Sequence, residues 1–170
     1  MSGTEERDAG GFTNVLPALW LNVKVFAIVL PVFLLANHMY QGVVMGKAPV
    51  GRFPHNYWTE VVAYHLFFVA FPEEFFYRGY MQARLGRVFD KPWRVFGVSL
   101  GPAFLLTTLM FTLGHSLVML RWWHFAIAFP SLLFGWLKEK SGNVLPGALC
   151  HACCNILMVT LETWYGVIPA

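Results

Sequence analysis

What this sequence has least of is charge. Asp, Glu, Lys and Arg make up 12% of its 170 residues, where soluble domains carry about 25%. Hydrophobic residues reach 57%, with 16 Phe and 7 Trp. A soluble domain this small has too little interior to hide such an excess, so a lipid bilayer is the expected surroundings. The net charge is only +3 and no basic residues cluster in a tract, which argues against a nucleic-acid partner. Cysteine is sparse and badly placed for bridging. Cys150, Cys153 and Cys154 crowd one apolar segment, and neighbours on a helix cannot close a disulfide of normal geometry, so a secreted disulfide framework is excluded. Strand-type alternation, internal repeats and low-complexity tracts are missing. The opening MSGTEERDAGGFTN lacks a basic n-region and a cleavage site, so residues 1–14 read as a polar tail and the first apolar segment as a retained anchor.

What is there is a series of apolar runs. A transmembrane helix needs about 20 mostly apolar residues, and five segments qualify as candidates: 15–38, 57–85, 96–120, 122–137 and 145–165. They predict an all-α polytopic membrane helix bundle of about five transmembrane helices, folded as a single domain over 15–170. Arg121 alone separates the third and fourth, which suggests a tight hairpin or a partly re-entrant helix. With five spans, Arg7, Arg84, Arg87, Lys91, Arg94, Lys138 and Lys140 fall on one side and Lys47, Arg52 and Arg121 on the other. The excess of basic residues assigns the first side, with the N-terminus, to the cytoplasm.

Three apolar segments nevertheless carry polar groups. The second holds FPEEFFYRGYMQARL at 71–85. Ionisable residues inside a membrane segment cost about 3 kcal/mol each, so they are functional by default. Glu74 and Arg78 are four apart with the acid first, the favourable order for an ion pair on one helix face. That pairing leaves Glu73, about 100° around the helix, as a candidate general base toward water. The plainer alternative puts both glutamates near an interface, with Arg78 and Arg84 as cytoplasmic flanks. The third segment holds FTLGHS, with Phe111 and His115 four apart; a lone histidine on an apolar helix is commonly a hydrogen-bonded core residue. The fifth holds LPGALCHACCNIL, where His151 and Asn155 share one face, though such groups also simply link helices. Three constellations on three apolar helices point to one site enclosed by those helices.

Taken in order, Glu73-Glu74-x-x-x-Arg78, Phe111-x-x-x-His115 and His151-x-x-x-Asn155 resemble the CAAX-protease and bacteriocin-processing family of intramembrane proteases. FPSLLFGWLKEKSGNVLPGALCHACCN is similar to that family's helix, charged turn and histidine helix. The resemblance covers about 57–158. It implies an intramembrane endopeptidase in which Glu73 activates water, His115 shares or relays the proton, and His151 and Asn155 donate to the oxyanion. Glu74 and Arg78 would pair and fix the helix. Members of the family have been described both as metalloproteases and as glutamate-type proteases. HExxH is absent and Arg78 claims the second glutamate, so a metal-free mechanism without cofactor is expected. The zinc alternative would use Glu73, His115 and His151. Cys150 and Cys154 lie on an adjacent face, where thiolates are possible zinc ligands and small packing residues are the plainer reading.

The implied partner is a membrane-anchored or C-terminally processed protein substrate. Eukaryotic members of the family remove the last three residues after a prenylated cysteine; bacterial ones process peptides, confer immunity or act in protein sorting, as in the myxosortase branch. A bacterial inner membrane is the expected location. Trp122, Trp123 and Phe125 fit an interfacial aromatic belt or a substrate entry. Two readings from other classes stay open: a proton-coupled transporter relaying protons through Glu73, His115 and His151, and a non-catalytic immunity or scaffold protein. One difficulty is geometric. If every segment simply spans, His115 falls near the end of its helix, far from Glu73 and His151, unless Pro72, Gly101-Pro102, Gly114 or Pro130 breaks a helix.

Overall fold

The computed structural model describes residues 15–118 and 122–168. The polar tail 1–14, Arg121 and the side chains of Trp122 and Trp123 lie outside the described residues. Helix α1, Val15–Met39, continues as a π-helical stretch over Tyr40–Val44. It is apolar on nearly all sides, as a segment facing lipid should be: Leu16–Val44 has a mean hydropathy of 2.2. The second helical run, 58–85, is called α2 here. It alternates α-helical Trp58–Ala63, Phe71–Glu74 and Ala83–Leu85 with π-helical Tyr64–Ala70 and Phe75–Gln82. Pro72 enters without breaking it. A proline lacks the N–H that an α-helix needs from it, and the wider turn just before absorbs the mismatch.

Strands β1, Trp93–Val95, and β2, Val98–Leu100, follow as an antiparallel hairpin pairing Trp93 with Leu100 and Val95 with Val98. Helix α3 runs Pro102–Val118. A 3₁₀ turn, Trp122–Ile127, leads into α4, Ala128–Ser141, and α5 runs Leu145–Trp164. Gly142, at φ +69°, caps α4 in the left-handed conformation that glycine reaches without strain. By length and composition, Leu16–Val44 and Leu145–Trp164 can each cross a bilayer, while Pro102–Val118 is apolar but shorter.

The molecule is mostly helical, and the hairpin corrects the expectation that strands are absent. Three residues per strand are too few for alternation to register in the sequence, and only Val98 and Leu100 are buried. They pack on Phe104, with Leu132 and Trp136 against them. This corrects the third segment as well. Residues 96–101 are not helical; α3 begins only at Pro102, beside Leu132 and Trp136 on α4 rather than at that helix's end. The fourth segment also runs further than 137, through Lys138, Glu139 and Lys140 to Ser141.

The start of α3 depends on Gly101. A Cβ there would lie 2.0 Å from the carbonyl oxygen of Asp90, and backbone on both sides leaves little freedom to move. Gly101→Ala is expected to destabilise the fold by about 1–3 kcal/mol, read as a lower melting temperature in detergent. An unchanged melting point would mean the 86–101 segment does not set the depth of α3. The same end of the molecule is tied by Glu139, which accepts from Lys138 at 2.7 Å, from Gln82 at 3.0 Å and from Lys91. Burial pushes its carboxyl up, but these hydrogen bonds outweigh burial and hold it below the ordinary carboxylate value.

The other core cluster joins α1, α4 and α5. Phe134, Leu137 and Cys150 are buried, with Leu21, Val25, Phe26, Leu133, Trp136 and Cys154 packed on them. At the far end His38 hydrogen-bonds Tyr165 and Val50 N–H donates to Trp164 O at 2.8 Å, fastening α1 and the following loop to the end of α5.

Candidate active site

Arg78 is the structural centre of the site. It is fully buried, and one guanidinium nitrogen donates to Glu74 Oε1 at 2.8 Å. Another donates to Ser131 Oγ at 2.6 Å and Ser131 O at 3.0 Å. Its flat face lies 4.3 Å from the Phe111 ring centre and 5.5 Å from that of Phe134, a cation–π setting in which desolvation strengthens the attraction. One side chain thus ties α2, α3 and α4 together. A buried charge is tolerable only when paired and hydrogen-bonded, and here both conditions are met.

Glu74 is equally buried, at 0% exposure. His151 Nδ1 lies 3.1 Å from Glu74 Oε1. A carboxylate only accepts, so Nδ1 carries the proton and donates. His151 is stacked on Phe134 at 4.8 Å with an interplanar angle of 14°, so its ring plane is fixed. Close approach at this point needs Gly147: a Cβ would sit 3.2 Å from Phe134 O and 3.3 Å from Glu74 Oε2.

His115 is oriented by different means. Its Nδ1 lies 2.9 Å from Phe111 O, one turn back on α3, and a carbonyl likewise only accepts, so Nδ1 carries the proton. Its ring lies 4.3 Å from that of Phe111. Both imidazoles therefore turn Nε2 toward Glu73. Its Oε2 is 3.5 Å from His115 Nε2 and 4.0 Å from His151 Nε2. These separations exceed normal hydrogen bonds, and Glu73 Oε2 has no hydrogen-bond partner although that atom is shut off from solvent. The rest of the Glu73 side chain is 31% exposed, so unlike Glu74 it meets the outside.

His115 reaches Glu73 because α3 starts late. Phe104, in the first turn of α3, packs beside Leu132 and Trp136 of α4, and the rise from Pro102 to His115 is about 20 Å, which brings the histidine within 3.5 Å of Glu73. Asn155 sits one turn beyond His151 on α5, half-buried, and among the described residues no contact joins it to either carboxylate. Cys150 is buried in the α1–α4–α5 core, Cys154 is half-buried beside it and Cys153 is exposed; all three are free thiols. Among the described residues no group of three or more His, Cys, Asp or Glu has the arrangement of a metal site.

Ser131, Phe134 and Gly147 were not singled out from the sequence. Ser131 had a readable signal, as a lone hydroxyl after Pro130 in an otherwise apolar AFPSLLFGW. Phe134 and Gly147 had none, because an aromatic or a glycine on an apolar helix is unremarkable until its neighbour is known.

A carboxylate between two oriented imidazoles, set in an apolar helical assembly, has the parts of a membrane-embedded hydrolase. The type II CAAX prenyl endopeptidase Rce1-like family matches residues 55–157, a range that takes in Glu73, Glu74, Arg78, His115, His151 and Asn155. The chain belongs to that family of membrane-embedded proteases. Neither a curated protein nor a solved structure matches it.

Proposed function

We propose that the chain is an intramembrane endopeptidase of the glutamic type. The observation that carries this is the position of Glu73 Oε2, unpartnered and facing the Nε2 atoms of both His115 and His151. A water there gives a proton to Glu73, and its oxygen forms a bond to the scissile carbonyl carbon as the π pair moves onto oxygen. His115 Nε2 shares the proton with Glu73. His151 holds Nδ1–H on Glu74, and with a second proton on Nε2 it presents an N–H on the Glu73 side. That N–H and the Asn155 carboxamide then donate to the oxyanion. Collapse breaks the C–N bond, and the proton held by Glu73 and His115 leaves on the amine.

The substrate class that fits is a membrane-anchored protein cleaved near its C-terminal region. Trimming after a prenylated cysteine and removal of a sorting helix are both chemically compatible with this site. The remaining apolar helices complete a bundle of about five spans, with the basic residues of 84–94 and 138–140 and the N-terminus cytoplasmic, in a bacterial inner membrane.

The mechanism is proposed to run without metal, because Arg78 occupies Glu74 and adds a positive charge beside the site that disfavours a dication. A zinc-dependent version of the same chemistry has one observation in its favour: each imidazole directs Nδ1 to an oxygen acceptor and leaves Nε2 free, the habit of metal-bound histidines. The test uses purified protein and a quenched fluorescent peptide whose membrane segment ends in a C-terminal cysteine motif, prenylated and unprenylated. His115→Ala and His151→Ala are each expected to lower kcat by about 10²-fold or more, and wild-type cleavage should survive exhaustive chelation with no zinc in the preparation. Cleavage by both variants at the wild-type rate would reject the mechanism; loss on chelation, restored by zinc, would select the metal version. A proton-coupled transporter would instead cleave no reporter while moving protons in vesicles.

A further inference from the structure

α2 carries one histidine that the site as described does not use. His65 is half-buried in the π-helical Tyr64–Ala70 segment. Its Nδ1 is shut off from solvent and has no hydrogen-bond partner. A buried polar atom without a partner is costly and calls for an explanation. This one asks for a hydrogen-bonding group that the chain itself does not supply.

The winding of α2 decides where the ring faces. In an α-helix, eight residues at about 100° each would set His65 roughly 80° away from Glu73. A π-helix turns less per residue than an α-helix, so the Tyr64–Ala70 stretch brings the two closer in angle than that. The π-helical stretch therefore turns His65 toward the face that holds Glu73. The same segment packs against α5. An edge-to-face contact with Tyr64, centroids 5.3 Å apart, holds the ring.

We propose that His65 is a substrate-binding residue, whose Nδ1 hydrogen-bonds a backbone peptide group of the segment lying along the His151–Asn155 face. This deepens the endopeptidase reading and rests on it. A protease can attack a peptide bond only where the substrate is unwound, and an unwound peptide in an apolar interior has lost the hydrogen bonds of its own helix. Those groups must find partners in the enzyme. A buried ring nitrogen two turns from the base, turned toward the same face, meets that need.

The experiment measures kcat and KM of the full chain in detergent on the same quenched membrane-segment peptide, for wild type, Glu73→Gln, His65→Phe and His65→Asn. Phenylalanine keeps the ring volume and removes the hydrogen bond; asparagine places an amide near the position of Nδ1. His65→Phe is expected to raise KM about tenfold, the loss of one hydrogen bond, with kcat within about threefold and an unchanged melting temperature. His65→Asn should return KM to within about threefold of wild type. A wild-type KM in His65→Phe, with Glu73→Gln inactive, overturns the assignment and leaves the endopeptidase intact. A lowered melting temperature in both His65 variants, with no recovery by asparagine, makes His65 a packing residue and also overturns it. Full activity in Glu73→Gln removes the endopeptidase reading and this assignment with it.

Discussion

Glu73→Gln is expected to lower kcat by about 10³-fold or more while leaving the fold unchanged. The substitution keeps the size and the hydrogen-bonding reach of the side chain but removes its capacity to take a proton from water. Glu73 Oε2 makes no hydrogen bond to another element. That atom lies 3.5 and 4.0 Å from the two imidazoles, beyond hydrogen-bonding distance, so the melting temperature should correspond to a stability change within about 0.5 kcal/mol. That combination separates a base from a structural carboxylate. Glu74→Gln should do the reverse, costing stability because Arg78 and His151 both lean on it. The check is a cleavage assay paired with thermal unfolding. Processing by Glu73→Gln at the wild-type rate would reject the base.

Arg78→Met carries the largest expected effect on stability, about 3–5 kcal/mol. Methionine fills much of the volume but leaves Glu74 fully buried and without its 2.8 Å partner, and it frees Ser131 Oγ and O from the donor between them. Removing one member of a buried pair costs more than removing both, because the survivor is an uncompensated charge. The double variant Glu74→Gln with Arg78→Met should therefore be more stable than Arg78→Met alone, a non-additive result measurable by denaturant unfolding in detergent. Arg78→Lys should recover only part of the loss. A single ammonium cannot reach Glu74 and Ser131 together. A loss below about 1 kcal/mol in Arg78→Met would mean that Arg78 is not what joins α2 to α4.

The two variants test different links of one chain of cause. Arg78 organises Glu74; Glu74 fixes the proton on His151 Nδ1 and so the direction of Nε2. Phe111 does the same for His115 through its carbonyl. Glu73 is the one charged member not fully enclosed. The division of labour between two adjacent glutamates follows from the helix turn: neighbours point about 100° apart, so one faces the core of α4 and α5 and the other faces the space between the imidazoles.

Much of this was legible before any coordinates. The excess of apolar residues over charge dictated a helical membrane protein, since only a helix or a closed barrel satisfies its backbone in lipid and no alternation favoured a barrel. The Glu74–Arg78 pairing followed from i,i+4 spacing, because both partners lie on one local element and their distance is set by helix geometry alone. The motif residues on α2, α3 and α5 stood out for the same reason that they are costly: polarity in apolar runs. The 93–100 hairpin did not stand out, because three-residue strands carry no periodic signal. The onset of α3 at Pro102 was equally hidden, because it depends on how β2 sits against Leu132 and Trp136.

What the sequence alone determined is therefore composition and local spacing: a lipid-embedded helical chain, an ion pair on one helix, and three polar constellations awaiting a common location. Only the tertiary structure decided that they meet. The depth of His115 depends on the hairpin, the tautomers depend on Phe111 O and Glu74, and the burial of Arg78 depends on Ser131 from a helix over fifty residues away. The physical reason is range. Helix periodicity reaches a few residues along the chain, whereas a carboxylate between two imidazoles is set by distances across the bundle, which no stretch of sequence contains.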